Sequence, residues 1–428
     1  MKILIKKILK NKEYKPLIEN FASLSGLQIA SYILPLITLP YLVRVLGPEK
    51  YGLIAFATAF VTYFQILTDY GFNLSATREI SIHRENREKI SEIFNSVMII
   101  KTSFAVLSLI ILSIIVFSFS QFRDNWLIYY LTFGIVIGNM LFPTWFFQGM
   151  EKMKYITVLN VLSQVIFTIS IFIFIRNISD YFYVPLINSL GFIVAGILGL
   201  IVAFREFNVK LKLPNLKAIK FQLREGWHVF ISTLAISLYT STNTFILGLF
   251  TNNTIVGYFA AGEKIVRAAQ GIYMPLSQSI YPYISNLASK SKIDAIRFLR
   301  KSMIAMFLLT LSMSLFLFFG AEIIANIILG SEYSQSIIVI KILSCLPLII
   351  GMATIFANLF LLAFRFTKLW SKIILYSSGY SIIGAILFLG VFKLGMIGIC
   401  INIIITELIV LTLSFIEYRN QKTNLIGE

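Results

Sequence analysis

Cysteine and histidine are nearly absent, with two of each in 428 residues. Cys345 and Cys400 both fall in apolar stretches without metal-ligand spacing, so they read as small buried residues. Neither His83 nor His228 has a Cys, Asp or Glu partner in a ligand pattern, which leaves them as surface or span-end histidines. GxSxG, HExxH and a glycine-rich phosphate loop are all missing. Charge is scarce at 13% of residues, and the acids number 20 against 37 Lys and Arg. No outer loop is long enough to be a catalytic domain. These gaps exclude the usual active sites: no enzyme activity, metal or cofactor is expected.

What the chain has in excess is apolar length, with 57% hydrophobic residues. A membrane span needs roughly 20 apolar residues. By that ruler twelve candidate spans run from Asn20 to Val43 through to Met396 to Ile416. Few show strand alternation, so helices rather than a barrel are expected. The basic start lacks a small-residue cleavage site, and the first span is expected to stay in the mature chain.

The net charge of +17 could suggest nucleic acid, but its placement argues otherwise. Arg78, Arg84, Arg87, Lys89, Lys152, Lys154, Lys210, Lys212, Lys217, Lys290, Lys292, Arg365 and Lys368 fall between spans on one side, together with the N-terminal lysines. The other side receives Arg44, Lys50, Arg123, Arg176 and Lys393. That is the positive-inside bias; it predicts cytoplasmic termini and some attraction to membrane lipids, and no nucleic-acid partner.

The basic loop around Pro214 divides the chain. The reading is a cytoplasmic N-terminus (1–19), an N-lobe (20–204), an inter-lobe loop (205–227), a C-lobe (228–418) and a cytoplasmic tail (419–428). Sliding the second half back lays Gly257 on Gly52 and Gln270 on Gln65 without a gap. The loop Thr251 to Val256 then overlays Leu46 to Tyr51. Polar stripes coincide as well: Thr58, Thr62, Gln65 and Asp69 match Glu263, Arg267, Gln270 and Met274. The seventh span carries Thr233, Ser237, Thr240 and Thr244, and the first carries Gln28 and Tyr32 on the matching face. Each half holds an even number of spans, so the expectation is an all-α membrane protein of two six-helix lobes. A pseudo-two-fold axis along the membrane normal would relate them, with a site at their interface.

Ser, Thr and Gln on one face often only glue helices together. Charges at membrane depth are harder to explain that way. Glu263 and Arg267 can form an i,i+4 ion pair, and Lys264 lies about 100° around the helix. Lys101 and Lys341 are close enough to span ends to snorkel. Glu407 stands near mid-span with no basic residue within helical reach, and Asp69 closes the second span, where it serves either the turn at Tyr70-Gly71 or ion coupling. The candidate substrate-binding set is Arg267, Lys264, Glu263, Gln270, Gln28, Gln65, Thr62 and Thr240, with Glu407 and Asp69 for ion coupling.

Three motifs resemble one family. Val43-Arg44-Val45-Leu46-Gly47-Pro48-Glu49-Lys50-Tyr51-Gly52 is similar to the first external hairpin of Wzx-type polysaccharide repeat-unit flippases. Asp69-Tyr70-Gly71-Phe72-Asn73-Leu74-Ser75-Ala76-Thr77-Arg78-Glu79 resembles the exit of its second span, and Phe147-Gln148-Gly149-Met150-Glu151-Lys152-Met153-Lys154-Tyr155 its fourth-span turn. The likeness runs from about residue 17 to about 418. It implies a V-shaped, twelve-helix, alternating-access transporter of the inner membrane. The implied cargo is an undecaprenyl-diphosphate-linked oligosaccharide for O-antigen or capsule assembly. The implied partners are a coupling ion (proton or sodium) and the polysaccharide assembly machinery. The rivals are a multidrug/cation antiporter of the same fold, whose cavity should be acidic, and a membrane-embedded polymerase or ligase, which needs a large outer loop.

Overall fold

The computed structural model describes residues 15–426. The lysines before residue 15 and the last two residues lie outside the described residues, as do the side chains of Tyr32 and Thr240. Among the described residues there is helix and turn but no strand.

The long helices are α1 (Lys15–Asp69), α2 (Phe72–Ile82), α3 (Arg87–Ser118), α4 (Trp126–Leu141), α5 (Thr144–Gly149), α6 (Met153–Phe174) and α7 (Tyr183–Glu206). After the basic loop come α8 (Leu216–Phe250), α9 (Asn253–Lys290), α10 (Lys292–Ile328), α11 (Ser336–Leu343), α12 (Leu346–Phe356), α13 (Thr367–Ile386) and α14 (Gly395–Ile426). Local chemistry sets their ends. Asn86 and Asn252 each accept the third following backbone N–H, from Lys89 and Ile255, at 3.0 Å, and so start α3 and α9. Pro143 stops α4, having no N–H to continue the ladder. The expected first and second spans form one kinked helix, α1, which turns at Gly47 with φ of 66°.

Nine helices among the described residues are long and apolar enough to cross a membrane. The chain is a multi-pass α-helical membrane protein. The pair α8 and α9, which carries the polar stripes, does not reach that apolar standard.

The helices gather into two compact units, and neither is a continuous stretch of chain. One holds the described residues up to Thr38 together with Phe60–Leu234; the other holds Leu39–Ala59 with Ala235–Glu428. In the first unit the core is aromatic, with Phe94 against Trp145 and Phe146 at centroid distances of 5.5 and 5.3 Å. The foot of α8 is tied into this unit. Asn95 donates to the Lys210 carbonyl at 2.8 Å, the Lys210 N–H donates to Ser91 Oγ at 3.1 Å, and Arg78 meets Glu225 at 2.9 Å.

In the second unit, Phe356, Phe360 and Tyr418 pack around Leu359 and Leu361. Here the two hairpins that the repeat superposes meet each other. A Cβ on Gly52 would lie 1.8 Å from the Asn253 carbonyl oxygen, and one on Gly257 would lie 1.9 Å from that of Pro48. Pro48 and Asn253 are themselves repeat-equivalent, so each glycine touches the counterpart of the other's neighbour. Only glycine lets the backbones approach this closely.

Candidate functional site

The sequence singles out charges at membrane depth, and the structure resolves them into two groups of opposite character.

The first lies on α9, in the unit containing Ala235–Glu428. Arg267 is 14 residues beyond the start of the helix, hence about 21 Å along its axis. Its Nε and Nη2 donate to one oxygen of Glu263, Oε1, at 2.9 and 2.7 Å. The pair is lopsided: the Arg267 side chain is 47% exposed and that of Glu263 is 13% exposed. Lys264 follows, half-buried, with no hydrogen bond or ion pair among the described residues. Two cations and one acid therefore share a single helical turn. Below them, Pro275 and Pro282 stand inside α9 and deprive the Gly271 and Gln278 carbonyls of their helical donors. Gln270 is buried, although the stripe reading groups it with the exposed Arg267.

The second group is in the unit containing Phe60–Leu234, and sequence reasoning did not join its members. Lys101 does not snorkel, contrary to expectation: its side chain is 2% exposed, deep in α3. The ammonium donates to Asp69 Oδ1 and to the Asn139 carbonyl, each at 3.0 Å. The second acceptor is available because Pro143, four residues on, has no N–H to give it. Lys101 thus binds the end of α1 and the broken end of α4 at once. The proline is the signal that could have revealed it. Lys341, by contrast, is exposed, as snorkelling requires.

The other candidates divide between the units. Gln28, Thr62 and Gln65 are half-buried in the first, and Thr62 has polar contacts of its own. Glu407 on α14 is half-buried in the second and engaged with its surroundings. Sequence reasoning also overlooked a buried amide pair there. Asn402 Nδ2 donates to Asn243 Oδ1 at 3.2 Å and to the Ser381 carbonyl at 2.9 Å, joining α8, α13 and α14. Among the described residues no cluster of His, Cys, Asp and Glu could hold a metal ion.

Chemically, the α9 group offers a half-exposed guanidinium and, one turn away, an ammonium with no ion pair among the described residues. It suits an anionic ligand better than a cationic one.

Comparison with known proteins agrees in class. Residues 17–288 match the model of a family described as polysaccharide biosynthesis protein. Over 403 residues the chain is 34% identical to an Escherichia coli (strain K12) protein provisionally named an O-antigen transporter, covering 94% of this chain and 97% of that one. A Shigella dysenteriae protein of the same provisional name is 30% identical over 388 residues, covering 89% and 94%. The fold matches an inward-facing multidrug resistance MATE transporter of the MOP superfamily with a TM-score of 0.76, at 14% identity over 95% of this chain and 99% of that one. It also matches the lipid II flippase MurJ in an inward closed conformation, TM-score 0.72, at 14% identity over 94% and 87%. At such identities the likeness concerns the fold alone. The family match covers more than half of the sequence and the first of these relatives aligns over nearly all of it: the chain belongs to the polysaccharide biosynthesis protein family.

Proposed function

We propose that this protein is a flippase that moves an undecaprenyl-diphosphate-linked oligosaccharide from the cytoplasmic to the outer leaflet for O-antigen or capsule assembly. The membrane would be the bacterial inner membrane, with both termini cytoplasmic, and the cycle one of alternating access by twelve helices in two related lobes. The problem such a protein solves is electrostatic. A diphosphate and its sugars cannot cross hydrocarbon without losing their water, at a cost no bare bilayer crossing meets. A polar lining with a counter-charge removes that barrier.

The observation that carries the reading is the pair of cationic side chains, Arg267 and Lys264, a little over a third of the way along α9. Arg267 is half-exposed although paired, and Lys264 has no anion among the described residues. A diphosphate would replace Glu263 on the guanidinium through paired N–H donors, and Lys264 would add a point charge. Gln28, Gln65, Gln270, Thr62 and Thr240 are proposed to hydrogen-bond sugar hydroxyls. Glu407 is proposed to carry the coupling ion, a proton or sodium; Asp69, the second candidate, is held by the buried Lys101 and is the poorer carrier. The antiporter alternative needs the opposite sign of charge at this point. Catalysis by a polymerase or ligase has no residue constellation here to support it.

The deciding experiment separates a binding pair from a structural one. If Arg267 only neutralises Glu263, the Glu263→Ala/Arg267→Ala protein should display surface polysaccharide better than either single variant, since no charge is left alone. If Arg267 grips the diphosphate, the double variant stays defective at normal membrane abundance. Recovery of display in the double variant would defeat the reading.

A further inference from the structure

A polar cavity of about 210 Å³ lies wholly within the first unit, between α2, α3 and α8. Its lining includes Glu79, Lys89, Glu92, Lys217, Phe221 and Gln222. The reading of this protein as a flippase makes no use of it.

The buried side of the cavity is rich in acceptors. Gln222 is 2% exposed, and its Oε1 has no hydrogen-bond partner among the described residues. The Glu79 side chain is 9% exposed and receives a long 3.4 Å contact from Arg78, whose guanidinium is closer to Glu225 at 2.9 Å. A buried carbonyl oxygen and a poorly paired carboxylate both call for a donor, because unmet acceptors are costly once removed from water.

The open side has the opposite character. Glu92 neutralises Lys89 at 2.6 Å. Lys217 is exposed, with no ion pair among the described residues, and Phe221 is 46% exposed beside it. The unmet charges are thus one negative group inside, one positive group outside, and an apolar ring at the rim. A simple anion would face Glu79, and a simple cation would leave Lys217 unanswered.

We propose that this pocket binds a phosphoethanolamine head. The primary ammonium donates to Glu79 and Gln222, the phosphate meets Lys217, and Phe221 lies against the carbons that follow. The same head can come from phosphatidylethanolamine in the membrane or from a free, water-soluble phosphoethanolamine compound. Because the foot of α8 forms one wall, occupancy would stiffen the helix that continues from this unit into the other.

The test uses the full-length protein in detergent and counts retained lipid by native mass spectrometry. Phosphatidylethanolamine, phosphatidylcholine and phosphatidylglycerol are offered separately. The choline head has the same charges but no N–H, so the ethanolamine lipid should be retained about tenfold better, the worth of a hydrogen bond to a buried charged group. Gln222→Leu should abolish that preference. Lys217→Ala, a change at an exposed side chain that leaves folding intact, should weaken retention of both zwitterionic lipids. Displacement by soluble phosphoethanolamine would assign the free compound as ligand, and resistance to it the membrane lipid. Equal retention of the ethanolamine and choline lipids, an unchanged preference in Gln222→Leu, or unchanged retention in Lys217→Ala would overturn the proposal and leave an internal salt-bridge cluster.

Discussion

Two ion pairs of the same chemistry sit in this molecule in contrasting surroundings. Lys101 and Asp69 come from different helices, and the cation is buried at 2% exposure. Glu263 and Arg267 are four residues apart on one helix, and the cation is 47% exposed. Removing a buried charge from water costs several kcal/mol, so the first pair holds only while every partner is in place. The second, local and solvated, contributes between zero and about 1 kcal/mol. A pair that ties three helices is poorly suited to exchanging partners. The bond between Glu263 and Arg267 ties a helix only to itself, and water already reaches its cation. The difference separates a charge sealed into the protein from a charge that solvent can reach.

That contrast can be broken most forcefully at Lys101. Lys101→Ala leaves Asp69 without its cation and the Asn139 carbonyl without a donor, and should destabilise the protein by about 3–5 kcal/mol. Membrane abundance and thermal unfolding in detergent would record it. The isosteric, uncharged combination Lys101→Met/Asp69→Leu should restore much of the loss; if it does not, Lys101 is doing more than holding the fold together. Arg267→Ala should give the inverse pattern, with a stability change within about 1 kcal/mol but loss of polysaccharide display. Arg267→Lys should retain a fraction of export, keeping the charge while losing the paired donors. A third comparison is finer. Lys264→Gln should reduce display by a few-fold, less than Arg267→Ala, because a point charge is removed but the guanidinium remains. The smallest effect is expected at Glu407. Export by Glu407→Gln should persist with an altered dependence on external pH, and an unaltered profile would remove Glu407 from ion coupling.

The helices were legible because runs of Leu, Ile and Phe at span length leave little else to form in a membrane. The α9 pair was legible too, since an i,i+4 acid and base are neighbours on any helix. Lys101 was not. Its carboxylate is 32 residues away and its carbonyl 38 residues away, and no local pattern joins them. Pro143 was visible as a helix breaker, but which side chain would take the freed carbonyl is a tertiary question. Sliding the halves together lays Gly257 on Gly52 but does not say that they touch. Nor does a stripe of hydrogen-bonding residues say which members face inward: Gln270 is buried and Arg267, one turn earlier, is exposed.

The division of the chain into units bears on how the protein is made. The first unit includes Phe60–Leu234, and so is incomplete until the foot of α8 has been synthesised. The second needs Leu39–Ala59, which leaves the ribosome long before the rest of it. The first can close once Leu234 has been inserted, but the second cannot close until the later helices follow. The early hairpin must wait in the bilayer with Gly52 bare until Gly257 arrives, some two hundred residues later. Assembly of the second body therefore follows insertion, and a chain stalled in the basic loop between α7 and α8 would leave both bodies unfinished.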